Sequence, residues 1–228
     1  MVSRASITTA AVALEREHGS SGVSMSAVAG ALGVKVASLY NHVRNLDELL
    51  VLLARELLEE IAVPDERLEW DSWLSDASWE VRRAFVEHDV LLRVPLLPGG
   101  PAVPPAFVET GLRVLVRAGF SLGYAHIVFG QQLFLVADAV RQEVTRRDAA
   151  RHGVNDVTVL RAAVDGVGRD AAPLLWELAD RLAYLPDEIP DYSDELFDWL
   201  LAIRIAGLRA MLEGEVEVHL LPQRPPVV

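Results

Sequence analysis

The chain has 228 residues, 51% of them hydrophobic, with 33 carboxylates against 21 Lys and Arg and a net charge of -12. That length can bury a sizeable core in one or two domains. The absence of cysteine excludes a disulfide framework, a thiolate metal site and a cysteine nucleophile, and no apolar run reaches the ~18 residues a membrane-spanning helix needs. Thr8, Thr9 and Glu15 interrupt what would have to be the apolar stretch of an export signal, so the cytoplasm is the expected compartment.

Ile7, Ala10, Ala11 and Leu14 share one face of a first predicted helix, closed by Gly19 and a Ser-Ser-Gly turn. Two short helical patterns follow around a glycine. Val28, Ala29 and Leu32 face one way, with Ser24 placed as the N-cap hydroxyl, and Gly33 ends the pattern with a residue able to take the left-handed turn conformation. In KVASLYNHV, Val36, Leu39 and Val43 fall at helical spacing and are expected inward. Lys35, Ala37, Ser38, Tyr40, Asn41 and His42 are left to point outward. That layout is a helix-turn-helix, and a surface of small, hydroxyl, amide and aromatic groups suits base edges and phosphates in a major groove. Arg44 follows at its end, and Asn45 with Glu48 has the spacing of a capping box that restarts the chain as a helix at Leu46.

Leu46, Leu50, Leu53, Leu57 and Ile61 continue this fourth helix to a stop before Pro64, and residues 64–69 read as a boundary. From Asp71 a helical pattern carries Trp73, Leu74, Ala77, Val81 and Phe85 to about Val94, where LLPGGPAVPP must be a loop. Pro105 can open the next helix, striped by Val108, Leu112 and Leu115 and ended by Gly119. Ser121 caps a long pattern to about Arg147. The polar, glycine-punctuated stretch after it reads as a mobile loop with a short helix near Val159 to Val164. A helix fits Ala171 to Tyr184. After PDEIPDYS, Ser193 caps a last helix with Leu196, Leu200, Ile203, Gly207 and Met211 along one side, made narrow by Ala202, Ala206 and Ala210. PQRPPVV reads as a disordered tail. No strand pattern stands out, and the fold class is all-α.

The acidity of the whole argues against nucleic acid, but its distribution does not. In residues 1–50, Arg4, Arg16, Lys35 and Arg44 balance Glu15, Glu17, Asp47 and Glu48, so the excess negative charge lies in the rest of the chain. A neutral reader on an acidic body implies weak non-specific DNA affinity and reliance on dimer geometry for tight binding.

Ser24, Val28, Ala29, Gly33, Val34, Leu39, Tyr40, His42 and Val43 match a family pattern, and the segment resembles the TetR family of bacterial repressors. LYNHVRN is similar to the tetracycline repressor branch. The resemblance is strong over roughly the first fifty residues and weaker from Trp73 to about Glu143. It implies an N-terminal three-helix DNA-binding head (1–45), a connecting helix (46–63), a larger helical effector-binding and dimerisation body (64–219) and a flexible tail (220–228). It also places Ser26, Val36, Ala37 and Ser38 at base-reading positions. Ser26 and Val36 replace groups of longer hydrogen-bonding reach there, and Leu46 replaces a basic residue, so the operator cannot be the tetracycline one.

The same resemblance implies an effector pocket. Along the long helix, apolar residues face almost every direction, which suits burial between several neighbours, and Gln131 and Gln132 are polar exceptions that a ligand, the backbone or solvent could satisfy. Candidate pocket residues are Trp79, Phe85, His88, Phe107, Phe129, Gln132 and Trp176, although aromatics at helical spacing are more often core. His88 and His126 share no helical face, so no metal is expected, nor any other cofactor. Ala77, Val81 and Pro95 stand where the tetracycline repressor holds its magnesium-bound drug, which disfavours that inducer and favours a largely apolar organic effector.

The expected partners are double-stranded operator DNA, a small effector and a second copy of the chain paired through residues 121–147 and 193–213. No membrane contact is expected. The rival reading is a helical binding protein or enzyme with a vestigial head. No Ser/His/Asp set, phosphate-cradling loop or metal spacing supports catalysis, so the chain is read as a regulator and not an enzyme.

Overall fold

Ser3 opens the first helix, α1 (Arg4–His18), by accepting a hydrogen bond from the Ser6 N–H while the Ser6 hydroxyl accepts from the Ser3 N–H. A computed structural model describes residues 2–94, 103–154, 156–183 and 193–214, and among these there is no strand. The proline-rich loop at 95–102, the segment 184–192 and the expected tail lie outside the described residues. The chain forms two compact units, residues 1–140 and 141–228.

After a 3₁₀ turn at Ser20–Gly22, the first unit continues through α2 (Met25–Ala31), α3 (Val36–Leu39) and α4 (Leu46–Leu58). Ser24 accepts from the Ala27 N–H at 3.1 Å, and Gly33 makes the turn at φ 64°, a left-handed value that a side chain would strain. Ile7, Ala11, Val28, Ala29, Leu39, Val43, Leu49, Leu50 and Leu53 are buried in this head. Each buried Ile, Val or Leu among them contributes about 1.5–3 kcal/mol, so hydrophobic packing dominates over the caps.

The helix at Lys35–Val43 is shorter than its apolar spacing predicts. Only Val36–Leu39 is α-helical, and the chain continues to Val43 as turns, although the Val43 N–H still bonds the Leu39 carbonyl at 2.9 Å. The capping box is also half formed. Asn45 Oδ1 accepts from the Glu48 N–H at 2.9 Å, but the Glu48 carboxylate passes over Asn45 and takes the Arg44 N–H at 2.7 Å. The fourth helix ends at Leu58, its chain turning on through Ile61, short of the stop expected near Pro64.

The body part of this unit comprises α5 (Trp70–Glu87), α6 (Val90–Arg93), α7 (Pro105–Ala118) and α8 (Leu122–Arg151) as far as Val140. The helix expected to run unbroken to Val94 is interrupted at His88. The cause is long-range bonding to the end of α1. His88 Nδ1 lies 2.9 Å from Glu15 Oε2, the Asp89 carboxylate accepts from the Ser20 N–H and hydroxyl at 3.0 and 2.8 Å, and Arg93 donates to the Ser20 carbonyl at 3.2 Å. Glu15 is 2% exposed and needs such a partner. The boundary at 64–69 is likewise tied down, because Arg117 donates to the carbonyls of Glu66 and Leu68 at 2.6 and 2.9 Å and Trp73 Nε1 donates to that of Pro64 at 3.2 Å.

Pro105 opens α7 and Gly119 closes it, as expected. Gly111, inside α7, serves a close approach. Trp73, Phe107 and Phe129 form a ring triad with centroids 5.8, 6.0 and 6.3 Å apart, and a Cβ on Gly111 would lie 2.5 Å from Phe129 Cε2 and 2.9 Å from Trp73 Cη2. In an open helix, Gly→Ala gains up to about 1 kcal/mol from propensity. Here the rings hold one another in place, and overpacking costs about 1–3 kcal/mol. Gly111→Ala is therefore expected to lower the melting temperature; a rise would refute the tight packing of the triad.

The second unit holds the end of α8, α9 (Asp156–Asp165), α10 (Pro173–Ala183) and α11 (Ser193–Leu212). The stretch expected as a mobile loop with one short helix is largely helical. Ion pairs at helical spacing, Arg147 with Glu143 at 2.6 Å and Arg151 with Asp148 at 2.9 Å, carry α8 on to Arg151. Asp180 of α10 meets Arg161 of α9 at 3.0 Å. On α11, Phe197, Leu201 and Leu208 are buried, whereas Leu196, Trp199 and Ile203 are exposed.

Candidate nucleic-acid interface

The turn at Gly33 and the cap at Asn45 leave α3 and its continuation anchored by two side chains. Leu39 and Val43 are almost fully buried. Around them, Lys35, Ala37, Tyr40, Asn41 and Arg44 are exposed, while Val36, Ser38 and His42 are half-buried. Val36 therefore sits at the edge of the packing and not inside it. Tyr40 is the large residue that the packing leaves out, 55% exposed, with its phenol available to a phosphate. Lys35 stands at the N-cap of α3 without a side-chain cap bond. In the preceding helix Ser26 is exposed, whereas Ser24 is half-buried and spends its hydroxyl oxygen on the cap.

A brace behind this surface was not legible in the sequence. Arg4 donates from Nε to the His42 carbonyl at 2.8 Å and from Nη2 to Glu48 at 2.5 Å, while Glu48 also takes the Arg44 N–H at 2.7 Å and Arg44 Nε at 3.1 Å. The Arg44 N–H, then the Arg44 guanidinium, with the charge of Arg4 adding to both, hold the Glu48 carboxyl below its ordinary 4.5. Arg44 and Glu48 stand at i,i+4, a spacing that signals such a pair. Arg4 lies 44 residues away from Glu48 and carried no signal.

The candidate effector residues are distributed more widely. Phe107 and Phe129 meet in the triad with Trp73. One turn along α8, Gln132 is 3% exposed and donates to Ser78 Oγ at 2.9 Å, and that hydroxyl donates to the Leu74 carbonyl at 2.6 Å. Gln132 Oε1 is buried without a hydrogen-bond partner. Trp79 is half-buried with the Arg82 guanidinium 5.6 Å from its ring centroid, and Phe85 is buried. His88 turns to Glu15, and Trp176, in the second unit, donates to the Val167 carbonyl at 2.9 Å. Ser78 and Arg82 were not anticipated. Both lie in register with the α5 stripe of Leu74, Ala77, Val81 and Phe85, where polar residues on a buried face are the signal. Gln131, by contrast, is exposed. Among the described residues no helix is long and apolar enough to cross a membrane.

A short reading helix held out on a capped and braced three-helix head, joined to a larger helical body, defines a helix-turn-helix DNA-binding regulator. Residues 7–53 match the family described as bacterial regulatory proteins, tetR family. The chain is 31% identical over 180 residues to the tetracycline repressor protein class A from transposon 1721 of Escherichia coli, covering 73% of this chain and 82% of that one. It is 25% identical over 214 residues to the class C repressor of Escherichia coli, covering 91% of each. Apo ActR from Streptomyces coelicolor is similar in structure, with a TM-score of 0.71, 27% identity and coverage of 93% of this chain and 98% of that one. ActR has also been solved in complex with (S)-DNPA and with actinorhodin. The chain belongs to the TetR family of DNA-binding transcriptional regulators.

Proposed function

We propose that the chain is a cytoplasmic repressor that holds a palindromic operator as a homodimer and leaves it when a small, largely apolar organic effector binds the body. The observation that carries the reading is the exposure of Tyr40 beside Lys35, Ala37 and Asn41 on a segment pinned by buried Leu39 and Val43. Ser24, Ser26, Val36, Ser38, His42 and Arg44 complete the proposed DNA face. Residues 1–45 act as reader, 46–63 as connector, 64–219 as effector and dimer body, and 220–228 as tail.

For the effector site, the supporting observation is Gln132 Oε1, a buried acceptor with no partner beside a cluster of aromatic rings. Unsatisfied buried acceptors are rare, and a bound donor group would satisfy this one. Trp79, Phe85, Phe107 and Phe129 remain the proposed aromatic surround, with no metal or cofactor and no catalytic role. The test is a gel shift with the DNA upstream of the chain's own gene, repeated with actinorhodin as the first probe because a structural relative binds it. A shift at low salt that the probe reverses is expected; no shift with any neighbouring intergenic fragment would overturn the reading.

A further inference from the structure

The head carries four Lys and Arg side chains in its first fifty residues, yet most are already engaged. Arg16 is paired with Glu60 at 2.5 Å, and Arg4 and Arg44 are both paired with the single carboxylate of Glu48. Among the described residues of the head, Lys35 is the cation without an ion pair. The side chains of Arg4 and Arg44 are nevertheless 59% and 87% exposed, and they flank the reading segment, one bonded to the His42 carbonyl and the other two residues beyond His42.

We infer that Glu48 sets how strongly the head holds DNA of any sequence, by occupying two guanidinium groups that would otherwise bind phosphates. A duplex phosphate offers the same kind of charged oxygen acceptor that Glu48 offers, and guanidinium pairs with either in the same forked geometry. The Glu48 side chain is only 15% exposed, but both guanidinium groups reach solvent, which weakens the pairs, so the carboxylate competes with phosphate without locking the arginines away. Because the donors around it keep Glu48 ionised, the competition persists wherever the head is folded. The consequence is discrimination. Random DNA, which offers phosphates alone, must displace Glu48 before the two arginines can bind it, whereas the operator also supplies base contacts to the reading segment. Glu48 is thereby a specificity-determining residue that need not touch DNA.

This rests on the head being the DNA reader, and the experiment separates the two claims. Binding of a labelled random duplex and of the operator is measured against KCl by fluorescence anisotropy for the wild type, Glu48→Gln and Asp47→Asn. Gln keeps an acceptor for the Arg44 N–H but removes the charge; Asp47→Asn removes a neighbouring exposed charge that holds no arginine. Every further phosphate neutralised steepens the log–log salt slope by about 0.9, so E48Q is expected to steepen it by about 1 to 2 for each head that contacts the duplex, with tighter random binding at low salt and a smaller operator preference. D47N should move the slope much less, and E48Q with Arg4→Gln and Arg44→Gln should return it toward the wild-type value. Should E48Q melt early, Glu48→Asp withdraws the carboxylate by one methylene and must give an intermediate slope. An E48Q or E48D slope equal to that of the wild type, or a D47N slope equal to that of E48Q, overturns the inference while leaving the reader in place. A wild type that binds no duplex overturns both.

Discussion

Changing Tyr40 and His42 together to alanine is expected to weaken operator binding by at least about 100-fold while leaving the melting curve nearly unchanged. Hydrogen bonds to a charged phosphate contribute about 1.5–3 kcal/mol each, and a dimer presents both side chains twice. A loss of about 2.7 kcal/mol in total already gives the factor stated, since each 1.4 kcal/mol is tenfold. Stability should survive because Tyr40 is 55% exposed and packs little, and because the brace to Arg4 runs through the His42 carbonyl, which alanine retains. Anisotropy on the operator fragment, paired with a thermal melt of each variant, is the measurement. A loss below tenfold with an intact fold would mean that this segment is not what faces the groove.

How far the structure was legible follows from the range over which its causes act. Ser24, Gly33, Asn45, Pro105 and Gly119 mark their helix ends through bonds made within a few residues, and each lies where its chemistry placed it. The break at His88 is different. Nothing near His88 and Asp89 in sequence asks for it; the cause is Glu15 and Ser20, 73 and 69 residues earlier. The persistence of α8 to Arg151 came from charge pairs at i,i+3 and i,i+4 that a reading of apolar periodicity passes over.

The candidate sites divide the same way. Apolar spacing separated buried Leu39 and Val43 from exposed Tyr40 and Asn41, because a short segment packed on one side obeys its own period. It could not show that Arg4 and Arg44 share Glu48, so cations that balanced carboxylates in a count turned out to be bonded to them. In the body, aromatic content drew attention to Phe107 and Phe129, and the structure brings them together around Gly111, a residue whose meaning depends wholly on the rings beside it. Gln132, one turn along α8 from Phe129, has an acceptor with unmet bonding, and composition alone could not distinguish it from Gln131 on the exposed side of the same helix.

If the proposed homodimer pairs through α11, Trp199→Glu with Ile203→Glu is expected to convert it to a monomer and to cost at least about 100-fold in operator affinity, because each head then binds without the effective concentration a partner provides. Along α11, Phe197, Leu201 and Leu208 are buried within the chain, while Trp199 and Ile203 are 61% and 52% exposed. Two large apolar groups one turn apart on an exposed face suit the proposed pairing, and exposed Ala202, Ala206 and Gly207 beside them would let a second helix approach closely. Arg204 Nε, on the same helix, is buried without an acceptor, and that burial lowers the pKa of its guanidinium, so a carboxylate from a twofold-related copy would relieve it. Acidic residues at 199 and 203 place two like charges on each side of a self-complementary contact without disturbing the buried face, so helix content and the melting transition should persist. Sedimentation equilibrium separates the outcomes. A variant that still sediments as a dimer, or a wild type that sediments as a monomer, removes α11 as the proposed pairing element.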